Sequence, residues 1–467
     1  MLSSEIRAIL ASGLVPRKLN REVLPEYLQY QTVHAPNTII ENVNLLLPGH
    51  CITLSAGKQK QRMYWNPSAK IDKAVGKQSE SIVHDKISTL LKKSVERRMI
   101  ADVPYGAFLS GGIDSSLIVG LMSEVVTGPV NTFSITFDER EFTEARYSNI
   151  VAKHFKTNHH EIQLKATDFI EELPNALKAM DHPGGDGPNS YIISKVTRNS
   201  GITMALSGLG GDELFGGYSI FKQVYDLNSK SYLNKIPRFV RKNFGHVLAK
   251  TKGDVSGQKM AEILSLNLIT PNTVYPTYRK ALLNNQINHL LGSNSAEKMK
   301  LLDNVVEIEG MDVPILSKVS MFEMHTYMQN TLLRDTDQMS MANALEVRVP
   351  FLDHELVEYV LSVSDQLKYP VSPKSLLTKS FHGLVPDEVI NRPKMGFVFP
   401  WKEWLKNELK EFCEGHIASI EKKGIYVRGS ISTLWNSFLK DDQKVTWSRV
   451  WHIIVLEDWL QRNNIES

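Results

Sequence analysis

The 467-residue sequence predicts an α/β fold: a parallel sheet with flanking helices, followed by a helical C-terminal part and preceded by a small α+β unit. Short apolar runs alternate with amphipathic helical segments from residue 82 to residue 206, as in chains whose parallel strands are covered by helices. A loop of small residues, SGGIDSS at 110–116, joins the first run to a helix. Such sheets bind ligands at the carboxyl ends of their strands, so we expect the site there.

The composition excludes several classes of protein. Hydrophobic residues make up 42% and charged residues 22%, which is typical of a globular protein in water. The net charge of +3 is too close to neutral to favour nucleic acid as the main partner. Two cysteines are too few for a disulfide framework or a zinc site. With no signal-peptide pattern and no apolar run of about 18 residues, we expect a cytoplasmic protein with no nucleic-acid and no membrane partner.

Three parts are predicted along the chain. Residues 1–66 form the small N-terminal unit, residues 67–80 are a linker, and residues 81–467 are the main domain. In the first unit the pattern predicts two helices and then two strands that meet at a Pro-Gly turn. The helices are predicted at 4–11 and 21–30, and the strands at 42–47 and 51–54.

The elements of the main domain follow from the spacing of apolar residues. Apolar residues at 83, 87, 90, 91 and 95 predict an amphipathic helix at 82–98. The other predicted elements are strands at 106–109, 130–137, 160–164 and 202–206 and helices at 144–155, 167–180 and 189–199, with a loop at 181–188. Residues 222–320 are predicted to be helical and carry no chemical signal.

The loop at 110–116 has the chemistry of an anion site. Gly111 and Gly112 allow close approach of the backbone, and the helix that follows directs its N–H groups at the loop. Hydroxyl groups come from three serines, Ser110, Ser115 and Ser116. Asp114 would repel phosphates unless a cation lies between them, so we interpret it as a Mg²⁺ ligand. The loop has no lysine and is not a Walker A motif; the alternative is an ordinary strand-to-helix turn.

Two further segments are rich in charge. The basic stretch at 222–252 is interleaved with Phe239 and Phe244, and we favour a solvated helix face over a nucleic-acid patch. Residues 321–362 set charged side chains among apolar ones, a pattern that fits either a site or a structural ion-pair network. These side chains are Arg334, Asp335, Asp337, Glu346, Arg348 and Asp353.

Four motifs stand in order along the chain: SGGIDSS at 110–116, SGLGGDELFGGY at 207–218, NTLLRDTDQMSMANALEVRVPFLDH at 330–354 and RPKMGF at 392–397. Together they resemble the glutamine-dependent asparagine synthetases of class B over essentially the whole chain. The resemblance implies an ATP-pyrophosphatase fold with ATP and Mg²⁺ as cofactors. It also implies an amide-forming ligase that adenylates a side-chain carboxylate, most directly that of aspartate, and then transfers ammonia to it.

The resemblance assigns roles residue by residue. Ser110, Gly111, Gly112, Asp114, Ser115 and Ser116 match the pyrophosphate loop, Leu109 and Ile135 the positions against the adenosine, and Ser207 and Gly208 the positions that contact the nucleotide. Asp114 and Asp212 would hold Mg²⁺. Lys394 matches the catalytic lysine, whose charge would stabilise the phosphate and the tetrahedral intermediate. Arg348 could bind the carboxylate of an amino acid, or equally belong to an ion pair.

One departure from the family pattern concerns the source of ammonia. Residues 1–66 resemble only the end of the glutaminase domain, and Leu2 stands where that domain needs a nucleophilic cysteine. We therefore expect no glutaminase activity from this chain. Ammonia would come from solution or from a separate glutaminase subunit, or these residues would be a shortened version of a longer gene product; a homodimer is the other partner left open.

A second departure concerns the acceptor. Leu209 stands where the family usually has an acid near the reacting carboxylate. The base would then be Glu213, Asp335, Asp337 or ammonia itself. The alternatives are a related enzyme with a different carboxylate acceptor, such as a lactam-forming or sugar-acid amidating enzyme, and a non-catalytic subunit.

Overall fold

The structure is a computed structural model that describes residues 1–137, 144–298, 301–302, 313–392 and 399–467. Seven strands lie in these residues: β1 (His50–Ser55), β2 (Lys58–Met63), β3 (Tyr105–Phe108), β4 (Asn131–Phe137), β5 (Asn158–Leu164), β6 (Met204–Leu206) and β7 (Glu346–Arg348). Strands β1 and β2 form an antiparallel hairpin, and strands β3 to β7 form one parallel sheet. The predicted α/β fold with a parallel sheet is confirmed.

The strand order of the parallel sheet, β5-β4-β3-β6-β7, places its first strand in the centre. The chain leaves β3 for β4 and β5 on one side and then returns to β6 and β7 on the other. This reversal makes a switch point between β3 and β6, where the loops after two neighbouring strands diverge and leave a crevice. The loop 110–116 follows β3, and Ser207 and Gly208 follow β6, so two of the predicted nucleotide motifs lie at this crevice.

The central strands are short, apolar and buried, as parallel strands covered by helices must be. Ala107 of β3 and Leu206 of β6 are partners in the register, and neither has exposed surface. Gly106 is required because a Cβ there would lie 2.8 Å from the carbonyl oxygen of Asn131 in β4. Leu109, predicted as the last residue of the strand, lies just beyond β3, and its N–H still donates to β4 at 2.8 Å.

Helices flank the sheet and build the rest of the chain. Before β4 the α-helices are Ile6–Ala11, Leu24–Tyr30, Glu80–Met99 and Ile113–Val125; between β4 and β7 they are Ala145–Phe155, Ala166–Ala179, Gly187–Asn199, Gly211–Leu214, Ser219–Asn228, Arg238–Lys252, Val255–Leu264, Pro271–Arg279, Asn284–Leu291, Ile315–Glu323 and Arg334–Met341; after β7 they are His354–Ser362, Asp365–Lys368, Ser375–Ser380, Asp387–Ile390, Trp401–Lys406, Lys410–Lys422, Ser430–Leu439 and Trp447–Arg462. A π-helix spans Met324–Leu333, and 3-10 helices span Arg21–Val23, Pro67–Lys70, Val75–Lys77, Ser231–Lys235, Ser295–Lys298 and Pro350–Leu352. Among the described residues no helix combines the length and the apolar character needed to cross a membrane.

The helix predicted at 82–98 is observed at Glu80–Met99. The five apolar positions that predicted it are all buried: Val83, Ile87, Leu90, Leu91 and Val95. The amphipathic stripe therefore identified the face that packs against the core.

The strand predicted at 42–47 is wrong, because these residues are irregular. Strand β1 instead pairs with β2 through a two-residue turn in which Ala56 and Gly57 have φ values of +48° and +74°. Two consecutive residues with positive φ give a tight turn whose twist matches that of the strands. Strand β2 escaped prediction because all six of its residues are exposed and it has no apolar alternation.

The first 43 residues do not pack as a separate unit. Their apolar side chains, including Ile6, Leu10 and Leu28, share one buried core with the C-terminal helices. The hydroxyl of Tyr27 donates to the carbonyl of His452 at 2.7 Å. The domain boundaries stay a prediction, but this packing makes the N-terminal segment part of the body that holds the last helix in place.

Candidate active site

A cavity of about 520 Å³ opens at the switch point between β3 and β6. This volume lies within the usual range of small-molecule sites. The predicted residues that line it are Leu109, Ser110, Gly112, Asp114, Ser115, Ile135, Ser207, Gly208 and Asp212. The ends of neighbouring parallel strands therefore bring these distant segments together, as the sequence predicted.

The loop after β3 is shaped for an anion. Gly111 has a φ of +66°, and a Cβ there would lie 2.5 Å from a backbone nitrogen of a neighbouring helix. Ser110 Oγ accepts from the N–H of Gly112 at 3.4 Å and lies 3.1 Å from Ser115 Oγ. No side chain caps the start of the helix Ile113–Val125, so its first N–H groups can bind a negatively charged ligand.

The ammonium group of Lys374 joins the two predicted metal ligands. Its Nζ forms an ion pair with Asp114 Oδ2 and lies 2.7 Å from Asp212 Oδ1. The lysine side chain is only 7% exposed. Burial alone would lower the pKa of Lys374, but the carboxylates of Asp114 and Asp212 together raise it to about 12. A permanent positive charge therefore lies between the loops after β3 and β6.

The two aspartates also fit a Mg²⁺ site. Their carboxylates come together at the ammonium of Lys374, and glycines leave space for them, so a Mg²⁺ ion would bind beside this ammonium or displace it. A Cβ on Gly211 would clash with Asp114 Oδ1, and a Cβ on Gly217 would overlap Asp212 Oδ1. Within the described ranges no cluster of three or more His, Cys, Asp or Glu side chains is placed to hold a metal. A Mg²⁺ ion would thus take its remaining ligands from phosphate oxygens and water, as Mg²⁺ usually does in nucleotide sites.

A second cation lies on the other side of the loop 110–116, which we call the serine loop. Arg392 Nη2 donates to Glu144 Oε1 at 2.7 Å, and both side chains are buried. A Cβ built on Gly112 would lie 3.5 Å from Arg392 Nη2, so the guanidinium is next to the loop. Burial raises the pKa of Glu144, and the charge of Arg392 opposes this shift. The face of the Tyr147 ring lies 5.0 Å from the guanidinium carbon and helps to orient it.

The wall of the cavity beyond the serine loop is acidic. Glu213 is buried, and burial together with the charge of Asp212 raises its pKa to about 7. The hydroxyl of Tyr218 donates to Glu213 Oε1 at 2.7 Å, which opposes that shift. Leu209 lines the same wall with an apolar side chain. Glu213 can therefore exchange a proton near neutral pH.

Two more carboxylates complete this wall. Burial raises the pKa of Asp335 to about 7, against the opposing charge of Arg334. Burial also raises the pKa of Asp186, and a hydrogen bond from Tyr327 opposes the rise. Both aspartates line the cavity. The side of the site away from the serine loop is therefore rich in carboxyl groups that need not all be ionised at neutral pH.

Some predicted residues lie elsewhere. Gly111 and Ser116 belong to the loop and its helix but do not line the cavity; Ser116 is fully buried in the helix. Asp337, a candidate base, is also outside the cavity lining, where burial raises its pKa. Lys394 lies outside the described residues, so its role stays a prediction.

Of the two roles predicted for Arg348, its contacts favour the ion pair over binding of a substrate carboxylate. Its Nε donates to Glu346 Oε1 at 2.7 Å, and its Nη1 donates to the carbonyl oxygens of Arg98 and Ile100 at 2.9 and 2.7 Å. These bonds attach β7 to the end of the helix Glu80–Met99, and Arg348 is absent from the described lining of the cavity. The charge cluster around Arg348 is thus structural.

Sequence reasoning missed three residues of the site. Lys374 lies in the stretch Ser-Pro-Lys-Ser, which reads as an exposed turn and gives no local signal. Arg392 stands two residues before Lys394 in the RPKMGF motif, but only the lysine was assigned a role. Asp186 lies in the glycine-rich loop DHPGGDGP, where its burial could not be read from the composition.

Two protein families match this chain. The asparagine synthase family matches residues 86–461, and the glutamine amidotransferase domain family matches residues 1–65. Asparagine synthetase (glutamine-hydrolysing) 1 of Bacillus subtilis is 29% identical over 451 residues, 95% of this chain and 69% of that protein. A putative asparagine synthetase (glutamine-hydrolysing) 2 of Methanocaldococcus jannaschii is 34% identical over 284 residues, 59% and 53% of the two chains. Amidase chyE of Penicillium rubens is 24% identical over 455 residues, 86% and 65% of the two chains.

The asparagine synthase match extends over most of the chain and includes all the residues that line the cavity. The serine loop, the two aspartates and the acidic wall all fall within it. The chain belongs to the asparagine synthase family.

Proposed function

We propose that this carbon–nitrogen ligase uses ATP to adenylate a side-chain carboxylate, that of aspartate in the first instance, and then converts it to an amide with ammonia. The observation that carries this proposal is the meeting of Asp114, Asp212 and Lys374 beside an uncapped helix start. An anion cradle, two metal ligands and a fixed cation in one cavity suit a triphosphate better than a neutral ligand.

In the first step an oxygen of the acceptor carboxylate attacks the α-phosphorus of ATP. A phosphorus–oxygen bond forms, and the bond to the β-phosphate breaks, so that pyrophosphate leaves. The hydroxyls of Ser110 and Ser115 and the first N–H groups of the helix would hold the departing pyrophosphate. Lys374 and Arg392 would neutralise its charge from two sides. Mg²⁺, held by the two aspartates, would supply further charge neutralisation on the phosphates.

In the second step the nitrogen of ammonia attacks the acyl carbon. The carbon–oxygen bond to AMP breaks, and the nitrogen must lose a proton. Glu213 and Asp335 line the cavity with pKa values of about 7, which suits groups that accept a proton at neutral pH. They remain base candidates together with ammonia itself, whereas Asp337 does not line the cavity. Lys394 keeps its predicted role in stabilising charge on the intermediate.

The two cysteines of these 467 residues do not support glutamine hydrolysis. Cys413 is fully buried, and burial raises its pKa to about 12, so it is a poor nucleophile. Cys51 lies on the exposed hairpin, where its sulfur accepts from Arg62 at 3.2 Å, and it does not line the cavity. We therefore propose that ammonia reaches the site from solution or from a glutaminase outside these residues, either on a longer form of this chain or on a separate one.

A second acceptor class is favoured by one observation. Leu209 lines the acidic wall of the cavity with an apolar side chain, at a position where the family usually has an acid. An acceptor with less charge than aspartate, such as a sugar acid or a β-amino acid that closes to a lactam, would suit this surface. The relatives themselves carry different names, including both synthetases and an amidase.

The test is release of pyrophosphate from ATP and Mg²⁺ by the purified chain. Parallel reactions contain aspartate with ammonium, aspartate with glutamine, a uronic acid with ammonium, and no acceptor. We expect release with aspartate and ammonium but not with glutamine. The variant Asp114→Asn should lose this activity, whereas Asp441→Asn, an exposed aspartate paired with two lysines, should keep it. Release only with the uronic acid would identify a sugar acid, and not aspartate, as the acceptor. A protein that binds ATP but releases no pyrophosphate in any reaction would favour a non-catalytic subunit.

A further inference from the structure

The stretch from residue 230 to residue 252 has an unusual charge. It contains seven of the 54 Lys and Arg residues of the chain and none of its 51 Asp and Glu residues. The basic residues are Lys230, Lys235, Arg238, Arg241, Lys242, Lys250 and Lys252. A short 3-10 helix at Ser231–Lys235 and the helix Arg238–Lys252 carry them. The chain as a whole is almost neutral, so this segment is a local concentration of positive charge.

The same segment exposes large apolar side chains. Phe239 is 68% exposed, Phe244 63%, Val247 59% and Val240 43%. Val240, Phe244 and Val247 are spaced by four and three residues, so they form one stripe along the helix. Tyr232, in the preceding 3-10 helix, is 58% exposed. The sequence predicted a solvated helix face here, and the face is exposed, but it carries phenylalanine and valine as well as charged side chains.

The opposite side of the helix is firmly docked. Gly245 is buried against the helix Val255–Leu264, and a Cβ on it would lie 3.0 Å from Ala261 Cα. Arg241 is buried, and its guanidinium donates to the carbonyl oxygens of Ile236, Leu264 and Asn267. The helix therefore packs against the protein through the side that carries Arg241 and Gly245. The exposed apolar stripe lies on a different side and does not belong to this packing face.

We propose that residues 230–252 bind the surface of an anionic membrane, contrary to the expectation from the sequence that the chain has no membrane partner. An exposed helix with Phe and Val along one stripe and Lys and Arg around it is the pattern of helices that lie in the interface of a bilayer. The apolar side chains would enter the boundary between headgroups and acyl chains, and the lysines would lie against anionic headgroups. The proposal is independent of the ligase chemistry, because none of these residues lines the cavity.

The side chains favour a membrane over other partners of negative charge. Valine offers no flat face on which a nucleic-acid base could stack, and an aliphatic stripe would be left without a contact on a phosphate backbone. Five of the seven basic residues are lysines, which are depleted at protein interfaces. A second copy of the same segment would bring two strongly positive surfaces together, which is repulsive.

The experiment is sedimentation of the full chain with lipid vesicles at low ionic strength. One set of vesicles is phosphatidylcholine alone, and the other is a mixture of phosphatidylcholine and phosphatidylglycerol. We expect binding to the mixed vesicles that weakens with salt. The double variant Phe239→Ser and Phe244→Ser should weaken this binding at least tenfold, because two inserted side chains are lost. The double variant Lys242→Gln and Lys250→Gln should weaken it about fivefold per lysine.

Matched control variants distinguish binding through this segment from nonspecific binding through other exposed apolar or basic side chains. Val371→Ser removes an apolar side chain that is 77% exposed elsewhere, and the double variant Lys58→Gln and Lys60→Gln removes two exposed lysines of β2. Both should bind vesicles as the unchanged chain does. All variants should keep the thermal unfolding midpoint and the pyrophosphate release of the parent, since the changed side chains are exposed.

Three results would overturn the proposal. The first is failure of the parent to bind the anionic vesicles, and the second is an equal loss of binding in the control variants. The third is binding of a short DNA duplex or single strand that is tighter than vesicle binding and insensitive to Phe239→Ser with Phe244→Ser, which would assign the charge to a nucleic acid instead.

Discussion

Replacing Lys374 by methionine tests the centre of the proposed site. Lys374 Nζ is the cation that holds Asp114 and Asp212 together between the loops after β3 and β6. Methionine keeps much of the length and apolar stem of lysine but has no charge. In the variant two carboxylates would face each other in a largely buried place without the cation that now separates them.

The expected loss of stability follows from the pKa of Lys374. Its folded value of about 12 lies above the ordinary value of 10.5, so the charged lysine stabilises the fold. This contribution is complete below pH 10.5 and is lost as the pH rises through 12. The difference between these two pKa values corresponds to about 2 kcal/mol. Methionine avoids the cost of burying a charge but leaves the two carboxylates facing each other, so we expect the free energy of unfolding of the variant at pH 7.5 to be lower by about 2 kcal/mol.

Two assays check this expectation. Urea unfolding without nucleotide measures the free energy of unfolding, and pyrophosphate release measures activity. The control is Lys379→Met, because Lys379 is 55% exposed and pairs only at the surface with Glu80. It should change stability by less than about 1 kcal/mol and leave activity intact. If Lys374→Met unfolds like the control and still releases pyrophosphate at the parent rate, the assignment of Lys374 to the phosphate site is wrong.

Three other substitutions test separate parts of the site. Gly211→Ala would push Asp114 aside and should reduce pyrophosphate release at least tenfold by raising the KM for ATP, whereas Gly415→Ala, with open space around its Cβ, should not. Between pH 4.5 and pH 7 the carboxyl of Glu213 is protonated in the folded chain and ionised in the unfolded chain, so folding loses up to about 3 kcal/mol as the pH rises through this range. Glu213→Gln removes this loss and should therefore stabilise the fold above pH 7 but not below pH 4.5. A stability gain that does not depend on pH would contradict the assigned pKa. Arg348→Met should lower the free energy of unfolding by about 1–3 kcal/mol and leave the KM for the acceptor unchanged, and a tenfold higher KM would restore its role in substrate binding.

The features that agree with the sequence analysis follow from local patterns and from the order of strands and helices. The serine loop and the helix after it form one continuous stretch, and the alternation of strands and helices places the loop after β6 beside the loop after β3. Lys374 could not be predicted in this way. Its side chain reaches the aspartates only after the chain has folded, and its own neighbours resemble a surface turn. The two roles of Arg348 could not be separated from the sequence for the same reason, because its partners Arg98 and Ile100 are about 250 residues away.

Leu209 lines the acidic wall of the cavity at the position where we predict a departure from the family pattern, and this position can act in two ways, on the shape of the loop and on the acceptor. The N–H of Leu209 donates to Ser207 Oγ at 3.3 Å, so the backbone still shapes the loop although the acid is gone. Glu213 and Asp335 line the same wall with pKa values of about 7, and a group that is half ionised at neutral pH can accept a proton and release it again. Loss of the acid at residue 209 should therefore affect recognition more than proton transfer. We expect the substitution Leu209→Asp to change which carboxylate is adenylated, measured as the ratio of kcat/KM for two acceptors, while the maximal rate of pyrophosphate release with the better acceptor changes less than tenfold.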